Sequence, residues 1–220
     1  MSLVAAAVSA AERMPLPDSV MRAGIAALVG RTARRLRGAP AGAERAFAEA
    51  MRSHPIALFP VDANAQHYEV PPGFFEQVLG PRLKYSCCLY PEAGTTLAEA
   101  EEFALAETAA HAGLADGQDI LELGCGWGSL TLWMAERFPA ARIVAVSNSR
   151  PQREHIEVAV AQRGLLNVQV ITADMNSFTT ERRFDRVVSV EMFEHMSNWP
   201  QLMANIHGWL RPDGRLFLHF

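Results

Sequence analysis

The 220-residue sequence has few cysteines, no excess of positive charge and no long apolar run. Its three cysteines, Cys87, Cys88 and Cys125, include no C-x-x-C pair, which excludes a disulfide framework and a cysteine-based zinc knuckle and favours a reducing, cytoplasmic setting. No apolar stretch reaches the roughly 18 residues that are needed to span a bilayer. Because 24 acidic residues outnumber 20 basic ones, for a net charge of −4, we expect no binding to nucleic acid.

The composition is that of a globular protein, since 50% of the residues are apolar and 20% are charged. The apolar run from Leu3 to Ala11 follows no positive residue and is rich in alanine, so we interpret it as mature structure rather than as a signal peptide. The length allows one large domain with a smaller appendage.

Residues 1–95 form the first of two regions that differ in pattern. This region begins with an alanine- and arginine-rich part whose apolar residues have helical spacing, which predicts a small helical N-terminal region. Prolines and aromatic residues without a period follow from Pro55 to Pro91. We expect this irregular segment and the N-terminal helices to cap an active site, and an ordered connector is the alternative.

Residues 96–220 form the second region, in which β-branched runs alternate with helical segments. Strands are predicted at Asp119–Leu123, Arg142–Val146, Val168–Thr172, Phe184–Val190 and Arg215–Phe220, and helices at about 97–112, 128–138, 150–163 and 199–210. A turn is predicted at Arg211–Gly214. Such alternation predicts an α/β fold with a doubly wound, mostly parallel sheet.

A glycine-rich turn joins the first predicted strand to the helix that follows. Its spacing is Gly124-x-Gly126-x-Gly128, and glycines let the backbone turn sharply and let a ligand approach the free N–H groups of a helix start. This predicts a cofactor site above the turn, and a tight turn without a ligand is the alternative. NAD and FAD are disfavoured, because the spacing is not G-x-G-x-x-G and Ser147-Asn148-Ser149 stands where an acidic residue is expected.

Three titratable residues, Glu191, Glu194 and His195, directly follow the fourth predicted strand. If Glu191 begins a helical turn, their i, i+3, i+4 spacing places them on one face, at the sheet edge where open α/β sheets bind ligands. Two carboxyl groups beside an imidazole suit proton removal, because their mutual repulsion raises a carboxyl pKa. A solvated helix start with acidic residues near the helix dipole is the alternative.

Several segments carry a resemblance to a known family. The run from Glu122 to Gly128 resembles motif I of class I S-adenosylmethionine (AdoMet)-dependent methyltransferases. Together with Tyr85-Ser86-Cys87, Ala173-Asp174-Met175 and Glu191-Met192-Phe193-Glu194-His195, it is similar to the cyclopropane-fatty-acyl-phospholipid synthase superfamily, and most similar to its coclaurine N-methyltransferase-like branch. The resemblance implies a Rossmann-like AdoMet-binding domain over residues 96–220. Because that fold has strands beyond the fifth, we expect C-terminal strands to be missing here.

The resemblance also implies eight cofactor-binding positions, namely Tyr85, Ser86, Gly124, Gly126, Asn148, Gln152, Asp174 and Met175. In the family, the positions of Tyr85 and Ser86 contact the methionine end of AdoMet, above the glycines. The positions of Asn148 and Gln152 lie near the ribose and adenine, and Asp174 with Met175 borders the adenine. A helix N-cap is the alternative for Asp174, and a buried aromatic side chain is the alternative for Tyr85.

The implied reaction is methyl transfer to an amine of a small molecule. Glu194 and His195 are expected to accept the amine proton, and Glu191 to orient the pocket or the substrate cation. Lipid chemistry is a first alternative, because Cys87, Glu194 and His219 match the positions around a bicarbonate ion in the cyclopropane synthases. A non-catalytic AdoMet-binding module is a second alternative.

Membrane contact and metal binding are not favoured by the remaining patterns. Arginines between residues 31 and 37 form a basic patch that could meet anionic lipid headgroups, but a solvated helix face is the favoured interpretation. No metal site is predicted, because His54, His67, His111 and His155 lack the spacing of metal ligands. The sequence does not indicate an oligomeric state.

Overall fold

A computed structural model describes residues 16–59 and 72–220. It groups the chain into two compact units, Met1–Ala48 and Glu49–Phe220. The predictions for Leu3–Ala11 and for His67 lie outside the described residues. The division at residue 95 into a cap and a cofactor domain stays a prediction.

The first unit contains the predicted N-terminal helices. Helix α1 spans Asp18–Arg37, and helix α2 spans Ala43–Ala50 and so runs two residues past the end of the unit. In α1, an aspartate in the first turn and three arginines in the last turn complement the helix dipole. No residue of α1 is buried in the described part of the chain.

The second unit is an α/β structure built on one parallel sheet of five strands. In chain order its elements are α3 Pro72–Val78, α4 Leu97–Ala112, β1 Asp119–Leu123, α5 Ser129–Arg137, β2 Arg142–Ser147, α6 Arg150–Gln162, β3 Val168–Thr172, β4 Phe184–Val190, α7 Trp199–Trp209 and β5 Leu210–His219. The strand order is β3-β2-β1-β4-β5. The predicted doubly wound sheet is therefore confirmed, and the order reverses between β1 and β4.

Helices cover both faces of the sheet. Successive residues of β1 point to opposite faces and pack against different helices. Leu121 and Leu123 pack in one cluster with residues of α7. Ile120 packs in another cluster with residues of α4 and α5. Strand β1 is buried along its whole length, which places it at the centre of the core.

Helix α4 begins with a capping box. The Thr96 side chain accepts a hydrogen bond from the Glu99 N–H, and the Glu99 carboxylate accepts one from the Thr96 N–H. The helix ends at Gly113, which adopts the left-handed conformation at φ 62°. These two signals explain why the predicted bounds of α4 are confirmed.

Strand β5 differs from its prediction. It begins at Leu210 rather than at Arg215, and the predicted turn at Arg211–Gly214 is wrong because these residues belong to the strand. Phe184 pairs with Leu210 while Arg186 pairs with Arg215, so the intervening residues form a bulge against β4. A Cβ at Gly214 would lie 2.9 Å from the carbonyl oxygen of Phe184, so only glycine fits there.

The described helices, which lie within residues 16–59 and 72–220, include none that is both long enough and apolar enough to cross a membrane.

Candidate active site

Two adjoining pockets open at the carboxyl ends of the strands. The first has a volume of about 330 Å³ and the second a volume of about 240 Å³. Gly124, Gly126, Glu191 and His195 line both. The pockets lie where β1 and β4 meet, which is the point at which open α/β sheets bind ligands.

All eight predicted cofactor positions line these pockets. Tyr85 and Ser86 line the first pocket. Asn148, Gln152, Asp174 and Met175 line the second, and the two glycines line both. The structure thus separates the positions expected for the methionine end from those expected for the adenosine end. Their roles stay predictions.

The glycine turn forms the common floor of the two pockets. The N–H groups of Gly124 and Cys125 both bind the carbonyl oxygen of Val146, which ties the end of β1 to the end of β2. Gly124 has φ 79°, and a Cβ there would lie 2.8 Å from Cβ of Met192. Gly126 has φ 53°, and a Cβ there would meet no heavy atom of the described residues within 4 Å. Gly124 is therefore needed for packing, while Gly126 faces open space.

Three buried polar atoms at the pockets have no hydrogen-bond partner among residues 16–59 and 72–220: Nε1 of Trp127, Oγ of Ser129 and Nε2 of Gln152. Leaving a buried donor unpaired costs about 1–3 kcal/mol. The Gln152 amide is held in place, because its Oε1 accepts a 2.7 Å hydrogen bond from Ser147 Oγ. Its Nε2 is thereby available to a ligand acceptor. A polar ligand such as AdoMet fits these atoms.

Asp174 is both a turn residue and a pocket residue. Its Oδ1 accepts a 2.9 Å hydrogen bond from the Asn176 N–H, and its Oδ2 accepts a 3.3 Å bond from Asn176 Nδ2. Asn176 in turn binds both the N–H and the carbonyl oxygen of Ala57. Asp174 thus supports the 55–59 segment at the second pocket, whose lining includes Ala57, Leu58 and Phe59.

The first pocket is lined by the side chains of Glu191, Glu194 and His195, which were predicted to lie together. The backbone that brings them together differs from the predicted helical turn. Glu191 does not begin a helical turn: it has the left-handed φ of 54°, and a short 3₁₀ turn spans Phe193–His195. A non-glycine residue in that region costs about 1–3 kcal/mol, and such residues cluster at functional sites. The predicted helical face is therefore wrong, while the convergence of the three side chains is observed.

The Glu194 carboxyl has a raised pKa. Partial burial is the largest cause, and a hydrogen bond and charge repulsion from Glu191 add to it. Glu194 and His195 remain accessible to solvent. The Glu194 carboxyl therefore lies beside Glu191 at the solvent-accessible rim of the first pocket.

A cluster of Cys87, Glu191 and His219 adjoins this rim. The distance from Cys87 Sγ to His219 Nε2 is 3.5 Å, and that from His219 Nε2 to Glu191 Oε1 is 3.7 Å. The predicted anion site of Cys87, Glu194 and His219 stays a prediction, and the structure brings the Glu191 carboxylate to Cys87 and His219. The Glu191 N–H also binds the carbonyl oxygen of His219 at 2.8 Å.

The family follows from a match with known proteins. Residues 59–220 match the family model described as mycolic acid cyclopropane synthetase. The chain belongs to this family. The resemblance that the sequence motifs predict is therefore confirmed, including the class I AdoMet-dependent methyltransferase fold.

The proteins that are similar to this chain include plant and bacterial enzymes. The (S)-coclaurine N-methyltransferase of Thalictrum flavum subsp. glaucum is 40% identical over 168 residues, which are 76% of this chain and 46% of the relative. A crystal structure of coclaurine N-methyltransferase bound to N-methylheliamine and SAH is 38% identical, with a TM-score of 0.81, over 89% of this chain and 59% of that one. The mycolic acid cyclopropane synthase CmaA1 complexed with SAH and CTAB is 27% identical, with a TM-score of 0.67, over 75% and 57%. The chain spans about half the length of the curated relatives it matches.

Two residues that line the first pocket, Glu122 and Lys84, are not among the site residues predicted from the sequence. Glu122 is buried, and desolvation raises its pKa to about 8, although Thr131 Oγ1 donates a 2.5 Å hydrogen bond to it. Lys84 is buried as well, and desolvation lowers its pKa. Its Nζ donates to Ser86 Oγ at 2.5 Å and to the carbonyl oxygen of Cys87 at 2.7 Å. A sequence signal existed, because Lys84 is the single lysine of the chain.

Glu101 of α4 is a further residue near the first pocket that was not predicted from the sequence. Its carboxylate is fully buried and accepts hydrogen bonds from the N–H groups of Arg82, at 2.9 Å, and Lys84, at 3.0 Å. A Cβ at Gly80 would collide with this carboxylate. Glu101 thus holds the backbone that leads into Tyr85 and Ser86. No local pattern reveals a contact between residues so far apart in sequence.

Proposed function

We propose that the full-length protein is an AdoMet-dependent methyltransferase that transfers a methyl group to an amine nitrogen of a small molecule. The observation that carries this proposal is the border between the two pockets, where Glu191 and His195 line both. Support comes from relatives named as N-methyltransferases of coclaurine and of tetrahydroprotoberberine. The three free cysteines support the expected cytoplasmic setting.

The second pocket would hold the adenosine part of AdoMet, and the first pocket its methionine part. Gln152 Nε2 and the Asp174 carboxylate offer a donor and an acceptor to the nucleoside. Ser129 Oγ and Trp127 Nε1 offer donors in the first pocket. When bound, AdoMet supplies an electrophilic methyl group on a sulfonium sulfur.

The acidic rim would prepare the acceptor. An amine is mostly protonated near neutral pH and cannot attack until its proton leaves. Glu194 and His195 would take that proton, because both side chains face the first pocket. The Glu191 carboxylate beside them would attract the cationic form of the amine and orient it.

The floor of the first pocket would keep water away from the reacting atoms. Leu105, Cys125, Trp127 and Leu130 line it, and each is almost completely buried. A dry floor strengthens the interactions between the charged rim and a cation. Alignment of acceptor and methyl donor in such a site supplies much of the rate.

The first experiment is calorimetric titration of the 220-residue chain with AdoMet. We expect saturable binding that Asp174→Ala weakens, while Asp213→Ala, a change at an exposed aspartate outside both pockets, leaves it unchanged. Transfer of labelled methyl groups is then measured with two acceptor sets, benzylic amines and vesicles of unsaturated anionic phospholipid. The transfer assay is repeated with a longer chain. If AdoMet binds but no methyl group reaches either acceptor set in either chain, the result would contradict an enzymatic role and favour a non-catalytic AdoMet-binding module.

Lipid acyl chains are a second candidate acceptor. Two observations favour them: the family model carries the name of a mycolic acid enzyme, and Cys87 lies 3.5 Å from His219. Methyl label that appears in the phospholipid and not in the amines would establish this candidate. Binding to the vesicles that falls with added salt would support a role for the arginines of α1.

A further inference from the structure

The Cys87–Glu191–His219 cluster combines three different metal-ligating groups from three separate segments. Cys87 lies in the irregular segment before α4, Glu191 follows β4, and His219 ends β5. One ligand atom from each side chain, Sγ, a carboxylate oxygen and an imidazole nitrogen, lies within 4.8 Å of the other two. Thiolate, imidazole and carboxylate are the ligands that zinc uses in proteins.

The distances in the cluster suit one tetrahedral ion. With Zn–S near 2.3 Å and Zn–N near 2.0–2.1 Å, tetrahedral angles place sulfur and nitrogen about 3.6 Å apart and nitrogen and oxygen about 3.3 Å apart. The observed distances are 3.5 Å from Cys87 Sγ to His219 Nε2 and 3.7 Å from His219 Nε2 to Glu191 Oε1. The third distance, from Cys87 Sγ to a Glu191 carboxylate oxygen, is no more than 4.8 Å, so side-chain rotation at Glu191 or Cys87 would bring all three atoms into coordination range.

The backbone around the cluster is held in place before any ion binds. Val190 pairs with His219 in adjacent parallel strands, and the Glu191 N–H binds the His219 carbonyl oxygen at 2.8 Å. Lys84 Nζ binds the Cys87 carbonyl oxygen at 2.7 Å. The side chains of Glu191 and His219 are 38% and 37% exposed, and Cys87 is exposed too. An ion could therefore enter from solvent and keep a water as its fourth ligand.

We propose that Cys87, Glu191 and His219 form a binding site for a divalent transition metal ion of the zinc class. A thiolate and an imidazole select zinc or cobalt over magnesium and calcium, which prefer oxygen ligands. On binding, the Cys87 sulfur forms a bond to the metal and its proton passes to solvent. The Lys84 ammonium interacts with Cys87 and Glu191, so it competes with the ion for the same negative charges.

The site is linked to the pockets through Glu191. This side chain lines both pockets and is hydrogen-bonded to Glu194, so a bound metal would withdraw it from that pair. Metal ions would therefore inhibit methyl transfer, a consequence that rests on the proposed function. Binding of the metal itself does not depend on that function.

The test is a titration of the full 220-residue chain with Co²⁺ alone, in the presence of a phosphine reductant that contains no thiol. We expect one equivalent to bind with a near-ultraviolet thiolate-to-cobalt charge-transfer absorption. Cys87→Ala should abolish this absorption, and His219→Ala and Glu191→Gln should weaken the affinity at least about tenfold. Cys88→Ala is the matched control, because it removes the adjacent thiol and leaves the three ligands in place.

An absorption band that survives Cys87→Ala, that disappears equally in Cys88→Ala, or that never forms would overturn the metal site. Circular dichroism of each variant establishes that it is folded, and His219→Gln replaces His219→Ala if the alanine variant is not. AdoMet calorimetry in the presence of a chelator separates the two proposals, because it reports on the pockets without metal. Intact AdoMet binding together with no cobalt band would reject the metal site alone.

Discussion

The backbone N–H of Glu191 donates a 2.8 Å hydrogen bond to the carbonyl oxygen of His219. This bond continues the pairing of β4 with β5 past the end of β4, and it does so while Glu191 adopts the left-handed conformation at φ 54°. The chain therefore turns sharply at the residue that lies between the two pockets. The end of β5 is part of the site through this contact, although β5 supplies no residue to the pocket lining described above.

Replacement of the two proposed proton acceptors should slow the proposed methyl transfer without removing cofactor binding. For Glu194→Gln and His195→Gln we expect kcat to fall by about 10²- to 10⁴-fold, because general base catalysis typically contributes that much. The dissociation constant of AdoMet, measured by calorimetry, should change by less than about threefold, since neither change alters one of the eight positions expected to bind the cofactor. Equal losses in turnover and in AdoMet affinity would mean that these residues have a structural role.

Gln152 provides a test of the proposal that the second pocket holds the adenosine part of AdoMet. In Gln152→Leu, the Nε2 donor is removed while the bulk of the side chain is kept, and we expect AdoMet to bind about five- to tenfold more weakly, as for the loss of one hydrogen bond. Gln162→Leu, on the exposed end of the same helix α6, is the control and should bind AdoMet normally. Unchanged affinity in Gln152→Leu would show that the unpaired amide does not meet the cofactor.

The two floor glycines should respond differently to alanine. Gly124→Ala combines a positive φ with a clash against Met192, so we expect a loss of about 1–3 kcal/mol in the free energy of unfolding, measured with urea. Gly126→Ala meets no neighbour in the described residues and should cost about 1 kcal/mol, for a side chain at positive φ alone. Its added methyl group occupies the shared floor, so the main loss in Gly126→Ala should be AdoMet affinity. A larger loss of stability in Gly126→Ala than in Gly124→Ala would contradict the packing of Gly124 against Met192.

Glu122 should make stability depend on pH. Its pKa of about 8 in the folded protein exceeds the ordinary value of 4.5, because burial disfavours the charged form. The folded state therefore holds a proton that the unfolded state has lost between these two values. The contribution of Glu122 to the free energy of unfolding is therefore fully present below pH 4.5. It is lost as pH rises through about 8, at about 1.4 kcal/mol per pH unit.

The matched variant is Glu122→Gln, whose amide can still accept the Thr131 hydrogen bond. Its free energy of unfolding minus that of the unmodified chain should increase from pH 5 to pH 8. Urea denaturation of both chains in the same buffers measures this difference, and other titrating groups cancel. A difference that stays constant with pH would show that Glu122 is charged in the folded protein.

The regular elements of the second unit were predictable because their signals are local. Strands β1, β3 and β4 match their predicted bounds, since each is a short run that ends at a turn. The start of β5 was not predictable, because Pro212-Asp213-Gly214 has the composition of a turn and becomes a bulge only through pairing with β4. In that case a tertiary contact overrides the local preference.

The site was predictable in its residues and not in its backbone. The motif positions converge on two pockets because they follow the ends of neighbouring strands. The left-handed Glu191 could not be foreseen, since periodicity reports which residues share a face and not which one leaves the regular path. Lys84 and Glu101 were missed because their partnership is formed across the fold.

The fully buried Glu101 carboxylate has a consequence for how the rim of the first pocket can change. It accepts two main-chain hydrogen bonds, and it lies where a side chain at Gly80 would need to be. Positions 80 and 101 are therefore not independent: a larger residue at one requires a smaller residue at the other, and such a pair would release the amides of Arg82 and Lys84. A change of side-chain size at either position would therefore have to be made at both in a single step.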